Sequence, residues 1–81
     1  MAAVTYYVVI TFDRSEDGEL LPGEPLELQS AEAARRRAAA LARAHAGLVA
    51  FSRTGDPATG EFEDAVIISQ AGEVDLDALA G

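Results

Sequence analysis

The 81-residue chain contains no cysteine, no tryptophan and no lysine. Without cysteine there is no disulfide framework and no thiolate to act as nucleophile or metal ligand, and the redox compartment leaves no mark on the composition. Without lysine, Schiff-base chemistry and the phosphate-loop lysine are excluded. All six basic residues are arginine, and with the abundant alanine this reads as GC-rich coding. A single histidine, His45, would have to serve any histidine-dependent base or triad. Positive charge is also scarce: the formal net charge is −8, which argues against a general binder of nucleic acid or of anionic membranes. No apolar run approaches the ~20 residues a membrane helix needs. The N-terminal MAAVTYYVVITF has no basic region and reads as a strand, so neither a signal peptide nor a membrane span is expected, and the expected location is the cytoplasm.

What the chain has is one unmistakable helix signal, SAEAARRRAAALARAHA from Ser30 to Ala46. Alanine, arginine and leucine are strong helix formers, Ser30 is a good N-cap, and Glu32 places negative charge near the positive end of the helix dipole. A full capping box would require Glu or Gln at position 33, which is alanine. Gly47 is the expected terminator, because glycine tolerates the left-handed conformation that closes a helix. At 100° per residue Ala34, Ala38, Leu41 and His45 share one stripe, so the buried face is mostly methyl groups. The large apolar side chains must then come from a sheet. Charge is divided along the chain: Ser30 to Ala46 holds four arginines against Glu32, a net of +3, which leaves −11 for the remainder.

Val4 to Phe12 is rich in β-branched and aromatic residues and reads as an interior strand, with Tyr6, Val8, Ile10 and Phe12 on one face and Thr5, Tyr7, Val9 and Thr11 on the other. Asp13 to Glu24 is an acidic loop punctuated by Asp17-Gly18 and Pro22-Gly23, and Pro25 to Gln29 reads as a short edge segment. After the helix, Leu48 to Thr54 and Phe62 to Gln70 read as a hairpin across GDPATG, and the run Ala65-Val66-Ile67-Ile68 suggests a central strand. Asp75 is placed to cap a short terminal turn through Leu79. The fold class is α+β: a single domain with a three- to four-stranded, mainly antiparallel mixed sheet and one helix on one face, in a split β-α-β arrangement. In that arrangement the Leu48 strand runs parallel to the Val4 strand, with the Phe62 strand between them. One helix covers one face, which leaves Tyr7, Val9 and Ile67 as candidate interface residues on the other.

Three motifs carry chemical possibilities. Asp13, Ser15, Asp17 and Glu24 match positions 1, 3, 5 and 12 of a calcium-binding loop, with Gly18 at the sharp turn, and so make a candidate Ca2+ site. The flanks do not fit that motif, since a strand precedes the loop and Pro22 and Pro25 resist a following helix; a solvated hairpin is the competing reading. Arg35, Arg36 and Arg43 form a basic patch that could hold phosphate or an acidic partner, or simply a solvated face with a Glu32–Arg36 pair one turn apart. The hairpin loop offers a ligand site at Arg53 and Asp56. No recognition motif for nucleic acid accompanies the arginines.

The stretch AFSRTGDPATGEFEDA, Ala50 to Ala65, resembles one shared by short single-domain bacterial proteins of unknown function, and the similarity extends from Tyr6 to Ile68. That resemblance implies no activity and no functional residue. With no catalytic constellation visible, the expected role is a non-enzymatic protein-interaction module that homodimerises through the uncovered sheet face. Calcium binding by the acidic loop and binding of a small ligand or phosphate are the alternatives.

Overall fold

In a computed structural model, described over residues 3–79 except for the side chain at position 78, the chain forms one α-helix, six strands and a terminal 3₁₀ turn. The order is β1 (Val4–Arg14), β2 (Leu20–Pro22), β3 (Leu26–Leu28), α1 (Ala31–Leu41), β4 (Gly47–Asp56), β5 (Glu61–Phe62), β6 (Val66–Gly72) and the 3₁₀ turn Leu76–Leu79. This is the expected α+β class. No helix among the described residues is long and apolar enough to cross a membrane.

Every strand pairing is antiparallel. β1 and β4 form the centre, in register from Val4↔Gly55 to Phe12↔Gly47. The short pieces β2 and β3 both pair with the outer side of β1, and β5 and β6 both pair with β4. Six strands therefore make a sheet only four ribbons wide. Two expectations are corrected here. β4 lies directly beside β1 and antiparallel to it. The strand after the hairpin forms an edge rather than the centre. The split β-α-β unit exists, but β3 and β4 are its parallel pair, with β1 between them and α1 crossing over.

Ser30 caps α1 as its sequence suggests, its Oγ accepting from the Ala33 amide at 3.0 Å. The helix ends at Leu41, short of the expected Ala46, because the chain must reverse before Gly47 pairs with Phe12. The turn is closed by the Ala44 amide donating to the Leu41 carbonyl at 3.0 Å. Gly47 opens β4 instead of terminating the helix. A Cβ at that position would collide with the Glu73 backbone, so close approach is what requires glycine there.

The chain buries two clusters, one on each side of the sheet. Beneath α1, Ala34 and Ala38 pack on Val9, Leu48 and Ala50, with Tyr7, Leu28, Leu41 and Ile68 around them. On the opposite side Ile10, Phe12, Val49, Phe51 and Leu79 pack together, flanked by Val8, Leu20, Ala65 and Val74. The expected interface residues Tyr7 and Val9 therefore lie on the helix side, and Val9 is fully buried. The physical reason is size. A helix presenting mostly methyl groups, with Leu41 at its end, comes close to the sheet and fits over a small residue such as Ala50, whose register partner is Val9. The larger Ile10, Phe12 and Phe51 go to the far face, where the terminal turn supplies Leu79 as cover.

Candidate functional site

Alternation along the central strands sets the composition of the far face. Because β1 and β4 pair as Tyr6↔Arg53, Val8↔Phe51 and Ile10↔Val49, these side chains share one surface. Toward the Phe12 end, Leu20, Val74 and Leu79 cover it. Toward the Val4 end the cover stops, and a shallow trough of about 290 Å3 opens. Its base is formed by Val8, Ile10 and Phe51, and Pro25 and Leu79 complete the lining. Tyr6 and Phe62 flank it with ring centroids 6.0 Å apart and planes tilted by 43°, a favourable aromatic arrangement. Phe62 takes this position because its β4 partner is Gly55, where a Cβ would run into the Phe62 ring.

The trough has one charged lining residue, Arg53. Its Nε donates to the Glu63 carbonyl at 3.3 Å, which holds the side chain at the rim, and among the described residues it makes no ion pair. The loop beyond is built by Asp56, whose Oδ1 accepts from the Ala58 amide at 2.9 Å and whose carbonyl accepts from the Gly60 amide at 2.8 Å. Asp56 thus shapes the hairpin, and Arg53 is the residue offered to the trough. The signal for this was present in the sequence, since Arg53 lies in phase with Phe51 and Val49. It stayed hidden until the pairing with Tyr6 was fixed.

The candidate calcium residues are not gathered. Asp13 belongs to β1, where its Oδ2 accepts from His45 Nδ1 at 2.7 Å and its Oδ1 from the Ala46 amide at 3.2 Å. The hydrogen bond from His45, then that from Ala46, holds the Asp13 carboxyl below its ordinary 3.8 against a smaller opposing effect of desolvation. Ser15 accepts from the Glu19 amide through its Oγ, and Gly18 takes φ +85° to close a hairpin between β1 and β2. Glu24 lies past β2. Among the described residues no group of three or more His, Asp or Glu side chains is arranged to hold a metal ion. The acidic loop is a strand-linking hairpin, braced by Arg14, which donates from Nε and Nη2 to the two Glu73 carboxylate oxygens at 3.1 and 2.8 Å and from Nη1 to the Gly18 carbonyl. That fork raises the Arg14 pKa and lowers that of Glu73 from its ordinary 4.5.

His45 lies beyond the end of α1, so it leaves the helix stripe and becomes part of a clamp between β1 and the α1–β4 turn. Of the basic patch, Arg35 and Arg36 are exposed on the helix, and Arg43 sits in the turn after it. Arg36 and Arg37 border an open hollow with Leu28, Ala33 and Ala40. The Glu32–Arg36 pair does not form. Ile67 is the one expected interface residue on the far face, beside Phe51 in register and 41% exposed. Comparison of the chain with protein-family models, with curated proteins and with solved structures finds no match.

Proposed function

We propose that the protein is a non-enzymatic interaction module that homodimerises through the β6 edge of its sheet, with Val66 and Ile67 at the contact. The observation that carries this reading is the character of that edge. β6 pairs with β4 on one side and has no strand on the other among the described residues. Its sequence, VIISQAG, holds no charge and no proline, the usual devices that keep an edge from pairing with another chain. Val66 is 62% exposed and Ile67 41%, so the edge also offers apolar side chains. Two copies of such a strand can pair antiparallel about a two-fold axis, joining two sheets into one.

Light scattering over a concentration series tests this. The expected result is a dimer at micromolar concentration that becomes a folded monomer when Val66→Lys and Ile67→Lys are combined. Because each copy carries a formal charge of −8 and the edge itself is uncharged, the dimer fraction should rise with salt as repulsion is screened. A wild-type monomer at every concentration, or a dimer that survives both lysines, would overturn the reading.

A further inference from the structure

We infer that the far-face trough is a binding site for a small amphipathic monocarboxylate, a short alkyl chain or a single aryl ring bearing one carboxylate, with Arg53 receiving the headgroup. The two halves of this ligand correspond to the two parts of the site. The base, Val8, Ile10 and Phe51, is wholly apolar, and the Tyr6 and Phe62 rings flank it. Such a surface rewards an apolar tail at about 25 cal/mol for each Å2 removed from water. Arg53 stands on the same face because it pairs with Tyr6. Its Nε is bound to the Glu63 carbonyl, which orients the guanidinium and leaves both Nη groups without a hydrogen-bond partner among the described residues. Arg53 is the charged residue of this lining and makes no ion pair among the described residues, so its positive charge is open to an anionic headgroup.

Charge complementarity and geometry select the headgroup. A planar guanidinium fork matches a carboxylate through two parallel N–H···O bonds, stronger than neutral ones. The volume selects the tail: about 290 Å3 lies at the small end of the range for ligand sites, and the trough is open along one side, so a bulky or doubly charged ligand gains little. The trough borders the β6 edge, since Phe51 of its base pairs with Ile67. The titration is therefore made on the Val66→Lys, Ile67→Lys protein as well as on the wild type, and binding by both keeps this inference separate from dimerisation.

The experiment is a titration of the full chain followed by amide chemical shifts, with octanoate as probe, octan-1-ol as the neutral tail and acetate as the bare headgroup. Saturable shifts at Tyr6, Val8, Phe51 and Arg53 with millimolar octanoate are expected, with none from acetate and weaker binding of the alcohol. Arg53→Gln should weaken octanoate binding tenfold or more, as the loss of a charged hydrogen bond implies, and leave the alcohol unchanged. Phe62→Ala, which removes one flank without touching the charge, should weaken both. The inference is overturned if octanoate leaves these amides unmoved, if acetate moves them equally, or if the folded Arg53→Gln protein binds octanoate as tightly as the wild type.

Discussion

Asp13 shows how one side chain can look like a ligand and act as a clamp. Its carboxylate accepts from His45 and from the Ala46 amide, tying the end of β1 to the turn that follows α1. Since folding holds its pKa below the ordinary value of 3.8, the folded state prefers the ionised form. The stabilisation is therefore fully present above the unfolded pKa and is lost as pH falls through the folded one. Glu73, lowered from 4.5 by the Arg14 fork, behaves in the same sense, so both losses fall in the acid range below about pH 4.5. Asp13→Ala should lower the melting temperature at neutral pH, and the gap to wild type should close as the pH is taken below about 4. A gap of equal size at pH 7 and pH 3 would mean that packing, not the carboxylate charge, accounts for the loss.

At the scale of the element, α1 rests on close approach, and its alanines make that possible. Ala34 and Ala38 are buried against Val9, Leu48 and Ala50, so a larger side chain at either position must displace the helix or its neighbours. Ala38→Leu should cost about 1–3 kcal/mol by overpacking, whereas Ala39→Leu on the exposed side should change stability by less than about 0.5 kcal/mol. Equal effects at the two positions, measured by urea denaturation, would contradict the packing described. The helix, its serine cap and its methyl stripe were legible because propensity and periodicity are local properties. The strands were legible for the same reason: β1, β4 and the segment preceding α1 lie where their β-branched residues and turn signals indicate. Which face of β1 the helix would choose was not legible. Tyr6-Val8-Ile10-Phe12 is the more apolar set and looks like the natural partner of a helix, yet the small side chains of α1 select Val9 and its neighbour Ala50. The edge position of β6 was hidden by a similar ambiguity, since four consecutive apolar residues, Ala65 to Ile68, suit a central strand as well as a sticky edge. For the candidate site, Arg53 and Ile67 were visible as residues, but their association with Phe51 and Tyr6 depends on a register that no local signal sets.

The whole molecule is organised by two strands that serve two cores. β1 and β4 send alternate side chains to the cluster beneath α1 and to the cluster beneath the terminal turn, so neither core has a scaffold of its own. A chain of this length has a total stability of about 4–12 kcal/mol at the usual ~0.05–0.15 kcal/mol per residue. Against that margin, Leu48→Ala on the helix side, at about 2–5 kcal/mol, and Phe12→Ala on the far side, at about 3–5 kcal/mol, each remove a large share. Because both clusters depend on the same strand pair, the loss on either face should be felt throughout. The test is made with Tyr7, which lies on the helix side, changed to phenylalanine throughout. Helix content followed by far-ultraviolet dichroism and the packing of the far-face Tyr6 followed in the near ultraviolet should then fall together in urea for the parent and for both variants, each variant with a lower midpoint. If the helix of Phe12→Ala outlasted the tyrosine signal, or two separate transitions emerged, the faces would be folding independently. The shared β1–β4 pair would then be carrying less of the coupling between them than its register implies.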